Sequence, residues 1–591
     1  MFENLNQTWD LEVLFPGGSE SPQFEAFLQT LEKDIAELSG RATAGAPAGV
    51  QGWAALVDVV QDVSDRLRHA AAFTGCLTSQ NVHDKYARIV ESRTRQIGAS
   101  LASVMTAVDK YILDVPKDEW RLLLEADALR PLAFNLDERR IRAKDLMPAG
   151  LENLANSLSV DGYGGWGDLY NLVTGQLSIT AEKDGKRLVL SPGQAQNRLA
   201  DPDPAFRSHL MSRWEEAWAG TADLCALALN HLSGFRLALY KQRSWDSFLK
   251  EPLEINRMSR ETLDVMWDTI TQSKDRAKSY LQRKKRVLGL EKLGWPDVDA
   301  PVGKSQAKMT YDQAAGFIVE QFGKFNPAMA EFAEHAFRHR WIEAEDRPGK
   351  RMGGFCTSFP VQKESRIFVT FSGTLGNTST VAHELGHGYH QSLMFDLPPL
   401  AQRYAMNVAE TASTFAEMLV ADAAVKQAKG DERLLLLDDK LARAVAMLMN
   451  IHARFLFETR FYEARKKGVV SVERLNEMMA EAQKEAYAGA LDLYHPHFWA
   501  SKLHFYITGT PFYNFPYTFG YLFSAGVYAR ALQEGPAFQA KYANLLRDTG
   551  RMKVEDLAQR HLDADLTKPE FWQSAIDSVL ADLPEYMQLT V

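Results

Sequence analysis

The stretch His383-Glu384-Leu385-Gly386-His387 constrains this 591-residue chain more than any other, because its chemistry works only on a helix. Residues four apart share a helical face, so both imidazoles can reach one cation. Glu384 then lies where it can take a proton from a water activated by that cation. The flanks fit this reading. Ile367-Phe368-Val369-Thr370-Phe371 is β-branched and aromatic, as in a strand. Ser372 to Asn377 reads as a turn, with Asn377 or Thr378 as the N-cap. The helix is expected from about Ser379 to Met394, ahead of Asp396-Leu397-Pro398-Pro399.

The third ligand sets the kind of metal site. A third His six residues after the second is missing, since that position is Leu393, and the Gly expected before it is replaced by His390. A carboxylate from a following helix is the other common solution. Tyr404 to about Gln427 reads as such a helix and carries Glu410 and Glu417 within Ala409-Glu410-Thr411-Ala412-Ser413-Thr414-Phe415-Ala416-Glu417. Its small residues allow close approach to the motif helix. Spacing alone does not choose between the two glutamates. Two His and one Glu leave a fourth position open for solvent, as hydrolysis needs.

Other groups read more plainly. His335 and His339 are also four apart but have Arg neighbours and no intervening Glu, which fits a solvated helix face. His495-Pro496-His497 reads as a turn, and Lys274 to Arg286 as an exposed basic face of a helix. The hydrophobic fraction of 46% and charged fraction of 24% are ordinary for a soluble globular protein. A net charge of −9 gives no reason to expect nucleic acid or an anionic membrane as a partner. No basic-then-apolar leader opens the sequence and no stretch reaches a membrane span. Cys76, Cys225 and Cys356 are far apart, which excludes a Cys-based zinc cluster and fits a reducing, cytoplasmic setting.

Most of the chain has helical periodicity. Ser21-Pro22 is a cap and first-turn pair, followed by Phe24, Phe27, Leu28, Leu31, Ile35 and Leu38 at helical spacing. Further amphipathic runs cover about 50–110, 205–245, 259–288, 311–338, 431–466 and 472–490. Two places break the rule. Asp184-Gly185 between Leu177-Ser178-Ile179-Thr180 and Leu188-Val189-Leu190 signals a hairpin, and Phe355 to Phe371 reads as strand. A weak boundary divides an N-terminal helical part, 1–195, from a catalytic part, 196–591.

Taken together, His383 to His390 and Glu410 to Glu417 resemble the thimet-oligopeptidase family of zinc metallopeptidases, in its oligoendopeptidase F branch. Gly349-Lys350-Arg351 with Gly354-Phe355-Cys356, and Phe371-Ser372-Gly373-Thr374-Leu375, match as well, as do Lys285 to Leu290, Asp297 to Pro301 and Leu14 to Gly18. The resemblance implies a mainly α, two-lobed fold with a deep central channel and a small sheet beside the zinc helix. It implies one Zn²⁺ per chain on His383, His387 and Glu410, with Glu417 behind them and Glu384 as the base. The family places a His and several Tyr in a loop matching His504 to Tyr521. Here the His-to-Tyr spacing is longer, and Thr518 stands where an ungapped match puts Tyr. His504 and Tyr521, which flank the loop, are expected to steady an oxyanion, with Tyr513 and Tyr517 binding substrate. An oligopeptide would add as a strand near Gly373, Thr374 and Leu375. The expected activity is cleavage of internal bonds in short peptides. Rival readings are a carboxypeptidase or dipeptidyl carboxypeptidase, and a catalytically silent peptide-binding protein.

Overall fold

The computed structural model describes residues 2–303 and 308–591. It is mainly helical, with two small sheets, and separates into two compact units. The first comprises 1–144, 307–424 and 530–563; the second comprises 145–306, 425–529 and 564–591. Each unit thus interleaves three stretches, a different partition from the contiguous 1–195 and 196–591 read along the sequence. Two of the crossings, at 424/425 and 529/530, fall inside single helices, where composition gives no mark of a boundary.

In the first unit, Pro22–Ala44 is the expected helix, capped by Ser21 Oγ accepting from the Phe24 amide at 3.3 Å. Phe24, Leu28, Leu31, Ile35 and Leu38 are all buried against Val60, Val63, Phe73, Ile97 and Leu101. Those partners come from the run near 50–110, which is two helices, Gly49–Gln80 and Lys85–Asp114, the second capped by Asp84. The run 311–338 likewise divides into Tyr311–Phe325 and Pro327–Arg338, because Asn326-Pro327 caps a new helix. The sheet of this unit holds β3 (Ile342–Glu343), β4 (Phe355–Phe359) and β5 (Glu364–Phe368). Its order is β3-β5-β4, parallel then antiparallel, and Phe359 and Phe368 join the helical core. His335 and His339 are exposed, as expected, their rings stacked at 3.7 Å.

The hairpin at Asp184-Gly185 belongs to the second unit as β1 (Ile179–Lys183) and β2 (Lys186–Leu190). The run 431–466 is two helices, Gly430–Val445 and Ile451–Arg465, joined by a π turn at Ala446–Asn450. The basic stretch 274–286 differs from expectation. It lies in helix Arg260–Val287, but Lys274 and Lys284 point inward beside Tyr280 and Leu281. Lys284 pairs with Asp438 at 3.0 Å, both sides nearly free of solvent. A buried cation needs such a partner, and nothing in its own segment reveals one 154 residues away. His495-Pro496-His497 turns as expected, yet His495 is buried, and both rings hydrogen-bond Glu215. Among the described residues no helix is long and apolar enough to cross a membrane.

Candidate metal centre

The motif helix runs Leu375–Ser392, starting four residues before the expected Ser379. Thr374 is its N-cap, with Oγ1 accepting from the Asn377 amide at 3.1 Å while the Asn377 side chain accepts from the Thr374 amide. Asn377 therefore closes a capping box from the third helical position. Gly376 in the first turn masked this start, because it reads as part of the preceding turn. The second helix, Met406–Gln427, matches expectation within two residues.

Gly386 brings these helices together. A Cβ there would fall 2.5 Å from the Ala412 carbonyl oxygen and 2.6 Å from Ser413 Cα, so only glycine permits the crossing. At this distance Glu410 Oε2 lies 3.2 Å from His383 Nε2 and 3.6 Å from His387 Nε2. One ligand atom from each of the three falls within 4.8 Å of the others. Glu417, two helical turns beyond Glu410, has Oε2 3.3 Å from the other nitrogen of His383, Nδ1. The two glutamates that spacing left undecided thus take opposite nitrogens of one ring. Ser413 Oγ donates to Glu410 Oε2 at 2.8 Å and fixes that carboxylate.

The electrostatics suit a cation. Burial alone would push His383 down, but Glu410 and Glu417 carry it up to about 10. Burial pushes Glu410 up, and the hydrogen bond from His383 with the charge at His387 outweighs it, holding the carboxyl at about 2. His387 is driven down to about 4 by burial, so its nitrogen stays free to donate an electron pair. Burial raises Glu384 to about 7. The two carboxylates that face His383 hold a positive charge at its ring, where a cation on Nε2 would take the place of that proton, and with His387 and Glu410 the residues present form an N/N/O donor set that fits zinc.

These groups open onto a cavity of about 400 Å³ also lined by Gly354, Phe355, Cys356 and Tyr404. Gly354 is close enough that a Cβ would lie 3.2 Å from Glu384 Oε1. Gly354-Phe355-Cys356 is among the stretches that resemble the family, where it carries no assigned role, and Tyr404 lies outside those stretches. The expected substrate edge at Gly373, Thr374 and Leu375 leads into the start of the motif helix. Phe371 N donates to Ala344 O, Gly373 O accepts from Met309 N, Thr374 caps the helix and Leu375 begins it. The sheet edge that borders the cavity is β4, the outermost strand on that side.

The aromatic segment lies in the second unit. His504 stacks on Tyr513 at 5.4 Å, and Tyr517 meets both rings edge-on at 5.8 and 5.2 Å. All three are half-buried. Tyr521 lies one turn past Tyr517 on helix Phe515–Glu534 and is only 6% exposed. The accessible phenols are therefore Tyr513 and Tyr517 rather than Tyr521, because position 521 faces the core of its own helix packing. Burial, with Arg454 and Lys502 nearby, pushes His504 down to about 3 and keeps its ring neutral.

The fold is mainly helical, and His383, His387 and Glu410 form a cluster that could hold a metal. A sequence profile described as Peptidase family M3 matches residues 199–578, and one described as Oligopeptidase F matches 112–178. The chain belongs to peptidase family M3. An oligoendopeptidase F homolog of Lactococcus lactis subsp. lactis is 25% identical over 331 residues, 55% of this chain and 54% of its own length. The group B oligopeptidase PepB of Streptococcus agalactiae is 26% identical over 308 residues, 51% of each chain. The chain spans about half the length of these curated relatives. A crystal structure from Chlamydophila abortus superposes with TM-score 0.84 at 19% identity, over 99% of this chain and 98% of the other. Oligoendopeptidase-F from Enterococcus faecium gives 0.71 at 16%, over 96% and 98%. At these identities the structures show a shared fold.

Proposed function

We propose that this protein is a zinc-dependent endopeptidase that hydrolyses internal bonds of short oligopeptides. The observation that carries the reading is Glu410 Oε2 within reach of both Nε2 atoms of His383 and His387, with Glu384 in the same cavity. His383, His387 and Glu410 would hold the ion, and Glu417 fixes the orientation of the His383 ring through Nδ1. When bound, zinc supplies Lewis-acid polarisation of the scissile carbonyl and acidifies water. The Glu384 carboxylate accepts the proton of the attacking water and returns it to the leaving amine nitrogen. A peptide adds as a strand along β4, where main-chain hydrogen bonds tolerate many sequences. The family resemblance assigns oxyanion donation to the His504 loop, and the shared cluster of His504, Tyr513 and Tyr517 supports those two phenols over Tyr521.

The segments 1–195 and 196–591 remain the proposed sequence division, supported by profiles that leave residues 179–198 between them. A cytoplasmic location is supported by three unpaired cysteines. The test is digestion of a mixed peptide library, including end-blocked peptides, with and without a chelator. Internal cleavage of blocked peptides, lost with chelator and with Glu384→Gln, is the expected result. Cleavage confined to free C-termini would establish the carboxypeptidase or dipeptidyl carboxypeptidase reading instead. Binding without turnover in the zinc-loaded protein would establish the silent peptide-binding protein.

A further inference from the structure

The segment Tyr506-Ile507-Thr508-Gly509-Thr510-Pro511-Phe512-Tyr513-Asn514 joins the turn bearing His504 to the helix bearing Tyr517. It is held from beneath by two buried polar side chains, Arg236 and Glu458. Arg236, on helix Ala222–Gln242, is 5% exposed and gives Nη2 to the carbonyls of Ile507 and Thr508 at 2.7 and 3.3 Å. Its remaining donors go to the Tyr163 hydroxyl at 2.5 Å and the Tyr462 hydroxyl at 3.0 Å. Tyr163 in turn donates to the Thr508 carbonyl at 2.9 Å. On the other side, Glu458, 3% exposed on helix Ile451–Arg465, accepts from the Asn514 amide nitrogen at 2.5 Å and from the backbone N–H of Phe512.

These anchors bracket Gly509-Thr510-Pro511, where Gly509 is exposed and a Cβ added to it would meet nothing within 4 Å. Phe512, just past the bracket, is held at φ +54, a conformation costly for a bulky residue unless its surroundings enforce it. The ring of Phe512 stacks on Phe248 at 5.6 Å, and next to it Tyr513 stacks on His504. A buried guanidinium whose loop carbonyls leave keeps only two phenols, and the buried Glu458 carboxyl without Phe512 and Asn514 loses its hydrogen-bond partners. Both outcomes are penalised in a dry interior. The loop therefore cannot lift without stranding a charge.

We propose that Arg236 and Glu458 are positioning residues that clamp the His504–Tyr513 loop on either side of Gly509-Thr510-Pro511, and so set the place of the Tyr513 hydroxyl. This rests on the reading of Tyr513 as an oxyanion donor. Displacing a catalytic group by about 1 Å can cost about 10²-fold in rate. The zinc-loaded full chain is compared with Glu458→Leu, Glu458→Gln, Tyr163→Phe and Tyr513→Phe by steady-state kinetics and by hydrogen exchange over 506–514. Glu458→Leu is expected to lower kcat by about 10²-fold with KM nearly constant and to speed exchange in 506–514. Glu458→Gln keeps an acceptor for Asn514 and should recover at least about ten-fold of that loss, which loss of bulk structure would not allow. Should Glu458→Leu fail to fold, Tyr163→Phe is the milder variant, removing one donor to Thr508 while leaving its ring stacked on Phe235. Unchanged exchange over 506–514 in a folded Glu458→Leu or Tyr163→Phe protein overturns the clamp. Wild-type turnover by Tyr513→Phe with faster exchange in the clamp variants would retain the clamp and reject the oxyanion reading.

Discussion

Replacing Gly386 by alanine tests how the metal centre is built. On helix propensity alone the change should stabilise by about 1 kcal/mol. The structure predicts the opposite. The new Cβ would sit 2.6 Å from Ser413 Cα and 2.5 Å from the Ala412 carbonyl oxygen, both backbone atoms that no rotamer can move. Carbon atoms rest about 3.5–4.0 Å apart, so the helices must separate by about 1 Å at this crossing. Ligand distances at zinc tolerate about 0.2 Å, and Glu410, three residues before Ser413, rides on the displaced helix. We expect overpacking to cost about 1–3 kcal/mol and zinc affinity to fall by at least about 10²-fold. Thermal unfolding with and without zinc, and competition against a chromophoric chelator, read the two effects. Gly526→Ala is the control, because its Cβ would land 2.4 Å from the Phe571 ring, in the second unit, and should lower stability while sparing zinc affinity. Wild-type zinc affinity in Gly386→Ala would refute close helix approach as the determinant of the third ligand.

Other outcomes follow from the same contacts. Glu417→Gln weakens the hold on His383 Nδ1 and should lower zinc affinity by about 10–100-fold with little change in melting temperature, measured by chelator competition. Lys284→Met leaves Asp438 buried without its cation and should cost about 3–5 kcal/mol in urea unfolding. Burial raises Glu215, but His495 and His497 outweigh it and hold the carboxyl at about 2 against an ordinary 4.5. A depressed carboxyl gives stability that is complete above its unfolded pKa and lost as pH falls toward the folded one. Stability should therefore drop between about pH 5 and pH 2, by an amount of the order of 3 kcal/mol, and Glu215→Gln should flatten that slope in acid titrations of unfolding.

The local rules carried far in this chain. The Glu-bearing helix and the hairpin at Asp184-Gly185 stand where period and turn chemistry put them, and the motif helix does so but for an earlier start at Leu375, because each is specified by neighbours in sequence. What escaped is specified at a distance. Nothing within Lys274–Arg286 shows that Asp438 waits for Lys284, and nothing around Tyr521 shows that helix packing buries it while Tyr513 and Tyr517 stay accessible. Glu410 and Glu417 share one face of their helix two turns apart, and only the crossing at Gly386 decides which nitrogen each one meets.

The order of synthesis gains meaning from one contact. His390, three residues past His387, meets the Leu546 carbonyl and the Thr549 hydroxyl through Nε2 at 3.1 and 2.9 Å, so the helix holding both ligands is seated by the segment 530–563. A ribosome adding about 5–20 residues per second needs roughly 7–28 s to travel from residue 424 to residue 563. Throughout that interval both ligand helices have been made while the backbone that braces them has not. A nascent chain therefore carries the His383, His387 and Glu410 cluster unbraced until residues 530–563 have emerged.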